Sequence, residues 1–164
     1  MPELARARVA LVHDWLTGMR GGERCLEVFC ELFPSADLYT LLHVPGSVSP
    51  AIENRRIVTS FIQRLPAAAT RYRQYLPLMP AAVGRVDVRG YDLVLSSSHC
   101  VAKRLHPSPR SLHVCYCFTP MRYVWDRYAD YVGDHASLPA RLALPALAPA
   151  LRAWDRAASH RVHH

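Results

Sequence analysis

The chain has 164 residues, of which 51% are hydrophobic and 20% charged, with 20 Lys+Arg against 13 Asp+Glu for a formal charge of +7. That balance is the composition of one soluble globular domain, long enough to bury roughly 70% of the surface its unfolded chain would expose, so small-scaffold explanations and disulfide staples are unnecessary. The longest uncharged apolar stretches, such as Leu142 to Leu151, fall well short of the roughly 18 residues that span a bilayer, and Pro145 and Pro149 interrupt that one.

At the N-terminus, Glu3, Arg6 and Arg8 precede a Val9–Val12 run too short for a signal-peptide core, which points to a cytoplasmic protein. Arg8 to His13 is a short continuous apolar run followed by a glycine-containing segment, as expected of a strand buried on both faces of a parallel sheet. After Gly21-Gly22, Leu26, Phe29, Cys30 and Phe33 recur at helical spacing, with Glu23, Glu27 and Glu31 on the opposite stripe and Pro34 as the stop. Ala36 to Leu42 and Arg56 to Phe61 read as strands, Ala67 to Val83 as a proline-interrupted helical region, and Tyr91 to Ser96 as a further buried strand. Ser97 to Leu105 then reads as a short helix, Ser111 to Phe118 as a strand and Met121 to Tyr131 as a helix. Arg141 to Ser159 follows as a longer helix that Pro145 and Pro149 should kink or split. Strands alternating with helices imply parallel βαβ units in a single α/β domain, and Arg161 to His164 resembles a strand that has barely begun, as if the domain were cut before its last strand.

The five cysteines include no Cys-x-x-Cys pair and none of the usual zinc spacings, so they read as buried, reduced thiols; Cys115 and Cys117 would share one side of a strand. Nine histidines give no metal-ligand pattern either, since His160, His163 and His164 sit at a chain end without a carboxylate companion.

Two adjacent glycines where a loop enters a helix place unpaired N–H groups and the positive end of the helix dipole where an anion can sit, so Gly21 and Gly22 form either a ligand loop or a plain tight turn. The pattern is neither a dinucleotide fingerprint nor a P-loop. The run Ser96-Ser97-Ser98-His99 follows a buried strand, at the carboxyl-end position where open α/β sheets bind ligands. His99 there either hydrogen-bonds a sugar hydroxyl or acts as a base, or it is incidental to serines that cap the next helix. A serine hydrolase is disfavoured by the absence of a Gly-x-Ser-x-Gly elbow. His113 to Asp126 is the most distinctive stretch: a strand runs into Thr119 as N-cap and Pro120 as first helical residue, with the Arg122 cation in the first turn, where it needs a carboxylate or a ligand.

Taken together and in order, Val12 to Leu16 (VHDWL) with Gly21-Gly22-Glu23, Ser96 to Lys103 (SSSHCVAK) and Cys115 to Asp126 (CYCFTPMRYVWD) resemble the family 4 glycosyltransferases of the GT-B fold, especially the mannosyltransferase-like enzymes of bacterial polysaccharide assembly. The resemblance covers nearly the whole chain. It implies a three-layer, Rossmann-like open parallel sheet, the acceptor-side half of an enzyme that moves a sugar, with retention, from a nucleotide-sugar to a lipid-linked or saccharide acceptor. No cofactor is implied beyond the nucleotide-sugar as substrate, and no metal. Carried over position by position, Gly21 and Gly22 would face the donor phosphates and acceptor, His99 would line the cleft as the catalytic residue, Thr119, Pro120 and Arg122 would shape the acceptor side, and Glu23 and Ser98 would join the substrate-binding residues. The family often carries His where this chain has Phe118. Its second Rossmann-like domain, with a Glu-x7-Glu motif, has no counterpart in these 164 residues. Glu23 and Glu31 have that spacing, but eight residues at about 100° each leave them roughly 80° apart around one helix. The reading is therefore a half-enzyme that needs a separately encoded donor domain, with an inactive fragment or a non-catalytic saccharide or membrane-surface binder as the alternatives.

A run of basic residues, Arg55, Arg56, Arg64, Arg71, Arg73, Arg85, Arg89, Lys103, Arg104 and Arg110, interleaves with Tyr72, Tyr75, Leu76 and Met79. It suggests peripheral docking on anionic lipid at the cytoplasmic face of the membrane, or else an ordinary solvated face. No nucleic-acid recognition motif accompanies the charge.

Overall fold

The structure is a computed structural model that describes residues 7–133 and 138–164; the reading of Glu3 and Arg6 lies outside the described residues. Five parallel strands, β1 (Val9–His13), β2 (Asp37–Thr40), β3 (Ile57–Thr59), β4 (Leu93–Ser98) and β5 (Leu112–Cys117), form one open sheet in the order β3-β2-β1-β4-β5. This is a Rossmann-like α/β fold. The chain winds outward from β1 in both directions, so β1 has a hydrogen-bonded neighbour on each side and all its residues are buried, as its unbroken apolar run requires.

Alternation along β1 divides the core. Val9 and Leu11 point to one face, where they meet Leu26 and Cys30 of α1 (Gly21–Leu32), Leu38, and Ile52 of α2 (Pro50–Glu53). Ala10 and Val12 point to the other face, into the larger cluster with Met79, Ala82 and Val83 of α4 (Met79–Val83). The segment that precedes α4, read as proline-interrupted, consists of α3 (Ala68–Arg71) and a 3-10 helix over Tyr72–Leu78, which carries Pro77. After β5 come α5 (Tyr128–Val132) and α6 (Leu138–Ser159), the latter packed on the second face through Leu144, Ala148, Leu151 and Ala158.

Three expectations are corrected. Ser97 to Leu105 forms no helix: Ser97 and Ser98 complete β4, and the residues after them form turns. Met121 to Tyr131 is helical only from Tyr128; before it the chain runs in turns, because Val124 O accepts from Arg152 Nε at 2.6 Å and Trp125 Nε1 donates to Asp155 at 2.9 Å, anchoring the segment to α6. The α6 prolines do not split the helix. Both are exposed, so the carbonyls deprived of an N–H four residues earlier lie on the watered side, while the buried stripe holds the other side in place. A buried ion pair, Lys103 Nζ to Asp155 Oδ1 at 2.7 Å, ties α6 to the loop after β4.

The chain end lies along the outer edge of β5, with His163 N donating to His113 O at 3.0 Å and Cys115 N to His164 O at 2.8 Å. All five cysteines are free, but only Cys30 and Cys100 are fully buried and Cys117 is exposed, which corrects the reading of uniformly buried thiols; burial still pushes the Cys115 thiol up to about 11. No helix among the described residues is long and apolar enough to cross a membrane.

His113 of β5 is fully buried, its Nε2 2.9 Å from Ser96 Oγ. Burial, helped by the charge of His163, lowers its pKa to about 4. The unfolded chain therefore binds this proton more readily than the folded one, and the stability lost on acidification falls between the ordinary histidine value of about 6.5 and about 4, with the full contribution present above 6.5. We expect the unfolding free energy from urea titration to drop across that window by an amount on the order of 3 kcal/mol, and His113→Gln to flatten that part of the profile; an unchanged slope in the variant would assign the acid loss elsewhere.

Candidate functional site

The site is built at the carboxyl ends of β1, β4 and β5, and its organiser is Asp14, the residue after β1. Its side chain is wholly buried, yet it is fully hydrogen-bonded: Oδ2 accepts from His99 N at 2.7 Å and Cys100 N at 2.9 Å, and Oδ1 from Val101 N at 2.7 Å and Ala102 N at 2.8 Å. Four successive amides converge on one carboxylate, and the chain after β4 runs in bends and turns where a helix was predicted. Ser98 Oγ, also buried, donates to Asp14 at 3.4 Å; it supports the carboxylate from behind and does not line the cleft.

Asp14 also fixes His99, whose Nδ1 lies 3.2 Å from Oδ2. The carboxylate selects the tautomer with the proton on Nδ1 and leaves Nε2 as an acceptor. Burial lowers the His99 pKa despite the opposing pull of Asp14, so the ring is neutral at pH 7. The edge of Trp15 meets the His99 ring at 4.5 Å between centroids, closing the floor.

On the opposite wall, α1 begins at Gly21. Glu23 in its first turn is buried; its carboxylate accepts from Arg20 N at 3.0 Å and stands 3.9 Å from His13 Nε2. Burial opposes the Glu23 charge, but His13 and the backbone amides at the helix start outweigh it and hold the carboxyl below its ordinary value. His13, buried beneath, bonds Ser97 Oγ through Nδ1 at 2.8 Å. A Cβ on Gly22 would come within 3.3 Å of the His13 ring and 3.5 Å of Phe118, so this glycine is required for close approach; a Cβ on Gly21 would meet nothing within 4 Å.

Between these walls is a cleft of about 490 Å³ lined by Gly21, Gly22, Glu23, His99, Thr119 and Arg122, together with Trp15, Arg20, Arg73, Phe118, Tyr123 and Tyr131. Pro120 is exposed and does not line it, and Thr119 caps no helix: its buried Oγ1, like the buried Nε of Arg122, has no partner. Buried polar atoms are stable when hydrogen-bonded, so these two suit a polar ligand. Among the described residues, none of the guanidinium groups of Arg20, Arg73 and Arg122 pairs with a carboxylate; Arg20 donates to Thr17 Oγ1 at 3.3 Å, and Arg73 stacks 4.8 Å over the Tyr72 ring. The cleft therefore offers cationic donors, a neutral histidine acceptor and aromatic surface. No group of three or more His, Cys, Asp or Glu among the described residues is placed to hold a metal.

Sequence reasoning gave no site role to Asp14, Arg20, Arg73 or Tyr131, and read Tyr123 only as aromatic surface near the strand-end loop. An acidic residue directly after the central strand was a usable signal for Asp14; Arg73 carries none, because it reaches the cleft from the 3-10 helix 59 positions after Asp14. The basic run does not form one free patch: Arg55 donates to the carbonyls of Cys30, Phe33 and Pro34, Arg56 pairs with Asp37, Arg89 with Asp87 and Lys103 with Asp155, while Arg85 and Arg104 lie over Phe61 and Trp154. Compared with known proteins, the chain matches no family model, no curated protein and no solved structure.

Two variants test this geometry. Asp14→Ala strands several buried amides and is expected to lower the unfolding free energy by about 3 kcal/mol or more in urea titration, with Asp14→Asn less harmful because one oxygen remains to accept. Gly22→Val drives a branched side chain into His13 and should cost about 1–3 kcal/mol, whereas Gly21→Ala leaves stability within about 0.5 kcal/mol of the parent. Equal effects at the two glycines would remove the steric argument.

Proposed function

We propose that this chain is the acceptor-binding half of a retaining glycosyltransferase. It serves the transfer of a sugar from a nucleotide-sugar to a lipid-linked or saccharide acceptor, on the cytoplasmic side, and works with a donor domain that binds the nucleotide-sugar. The observation that carries the reading is the cleft at the carboxyl ends of β1, β4 and β5, where Arg20, Arg73 and Arg122 lack carboxylate partners and face the N-terminus of α1 and a neutral His99. Ligands of open α/β sheets sit at that end, and unpaired guanidiniums beside a helix N-terminus suit a phosphate or diphosphate. The order of the VHDWL, SSSHCVAK and CYCFTPMRYVWD stretches supports the same reading, because all three border this one cleft.

In this scheme the acceptor hydroxyl donates to His99 Nε2, with Asp14 keeping the ring oriented and burial lowering its pKa. The arginines supply positive potential toward the departing diphosphate. The donor domain binds the nucleotide and completes the phosphate site.

The test is sugar transfer by the full chain, with and without a donor-domain chain, using labelled nucleotide-sugars and membrane-derived acceptor. We expect transfer only when a donor domain is present, and His99→Ala to lower it at least tenfold, about 1.4 kcal/mol or more, with an unchanged Tm. Saccharide binding without transfer from any nucleotide-sugar would replace the enzyme by a non-catalytic binding domain, and full transfer by His99→Ala would remove His99 from the chemistry.

A further inference from the structure

The face of the sheet that α1 covers is only partly closed. α1 lies over β1 and reaches β4, but among the described residues no helix packs over β5 on that side. Strand alternation and register place Leu112, Val114 and Tyr116 of β5 on this face beside Leu93 and Leu95 of β4, and Leu112 is 45% and Tyr116 53% exposed. The helix flank that borders this floor is apolar as well. At about 100° per residue, Phe29, Cys25, Leu32 and Val28 follow one another around α1, and the Phe29 ring meets that of Tyr116 at 6.1 Å between centroids, which turns the flank toward β5. Val28 is 50% and Leu32 64% exposed. Most of the exposed large hydrophobic side chains among the described residues thus collect in one patch. The other two, Leu78 and Leu142, lie elsewhere, next in sequence to Pro77 and Ala143 of a largely aliphatic cavity of about 430 Å³ that shares Arg73, Tyr123 and Tyr131 with the cleft.

An apolar ridge beside an apolar floor is self-complementary. Single apolar side chains on a surface need no partner, whereas a contiguous patch rimmed by charge marks a protein interface. A two-fold axis parallel to the strands brings two such faces together with the ridge of each copy on the floor of the other, so that Val28 and Leu32 cover Leu112 and Tyr116 twice and the two α1 helices form one layer between two sheets. The rim charges fit the same operation. Glu31 sits in the last turn of α1, where the helix dipole opposes a carboxylate and no basic residue of that turn offsets it. α1 runs back against the strands, so this turn lies at their amino ends, where Arg110 stands two residues before β5. Both residues are exposed, and neither side chain has an ion-pair partner among the described residues. An axis along the strands preserves their level and sets Glu31 of each copy against Arg110 of the other.

We propose that the chain associates with a second copy of itself through this face, as a symmetric dimer in which α1 of each copy packs on the β4–β5 face of the other. The proposal goes beyond the sugar-transfer reading and does not depend on it.

Sedimentation equilibrium of the full chain tests it. We expect a monomer–dimer equilibrium with a Kd of about 10 μM or below, the range open to a protein interface of ordinary size. Leu32→Lys, at a position exposed in the single copy, should raise that Kd by about tenfold or more with unchanged circular dichroism, because the substitution enters the contact twice. Glu31→Arg should raise it by about fivefold, and adding Arg110→Glu to the same chain should bring it back to within about threefold of the parent. Leu142→Lys, an equally exposed leucine away from the patch, should leave it unchanged. A monomer at every concentration overturns the proposal, as does a dimer that Leu32→Lys leaves intact or that the double charge exchange fails to restore. A chain that is monomeric alone but binds a donor-domain chain through Leu32 overturns it too, and gives the face to that domain.

Discussion

A single buried carboxylate organises this molecule. Asp14 leaves the end of the central strand and takes the amides of four residues that lie more than eighty positions away, joining β1 to the segment after β4. An ionised group stripped of water is expensive unless its lone pairs are satisfied, and charge-assisted bonds to backbone N–H are among the strongest that a carboxylate can make. The same oxygen that binds His99 N also stands beside His99 Nδ1, so one interaction shapes the loop, selects the histidine tautomer and directs the free ring nitrogen. Trp15, the next residue, packs against that ring and against Tyr72. Short sequence distance on one side of the cleft thus becomes geometric precision across it.

Around this point the sheet topology does the rest. Strand order places β1 between β2 and β4, so the loops after β1, β4 and β5 open on one side of the sheet and the N-terminus of α1 joins them there. The opposite wall comes from elements packed on the second face: the 3-10 helix brings Arg73, and the turn segment after β5, pinned to α6 by Arg152 and Asp155, brings Arg122 and Tyr123. Because that segment stays out of helical geometry until Tyr128, Thr119 and Arg122 are not spent on capping and remain with buried atoms toward the cleft. This wall is polar on one side of Arg73 and largely aliphatic on the other.

The departures from sequence expectation have specific causes. Residues 97–105 have the composition of a capped helix, but Ser97 and Ser98 complete β4 and the next four amides are gathered onto Asp14, a carboxylate from elsewhere in the chain. Pro145 and Pro149 argue locally for a broken helix, yet the stripe Leu144, Ala148, Leu151 and Ala158, with the Lys103–Asp155 pair, holds the helix from the buried side. The basic run looked like one surface in the sequence; in space its members turn to carbonyls, carboxylates and rings on different elements, and Arg73 alone of them lines the cleft.

By itself the sequence determined the parallel α/β class, the strand sequence and much of one side of the cleft. Buried strands write themselves as continuous apolar runs, and glycines at a strand-to-helix junction mark where a ligand can approach. Gly21, Gly22, Glu23, His99, Thr119 and Arg122 were legible on that basis, each lying in or just beyond a segment that follows a strand. Only the tertiary structure decided that Asp14 holds the loop, that Ser98 stands behind it, that Pro120 faces outward, and that Arg73, Tyr123 and Tyr131 join a polar cleft to an apolar cavity. Periodicity reports which side of an element is buried, whereas a cleft is made by side chains from elements distant in sequence, and their meeting is set by packing rather than by local pattern.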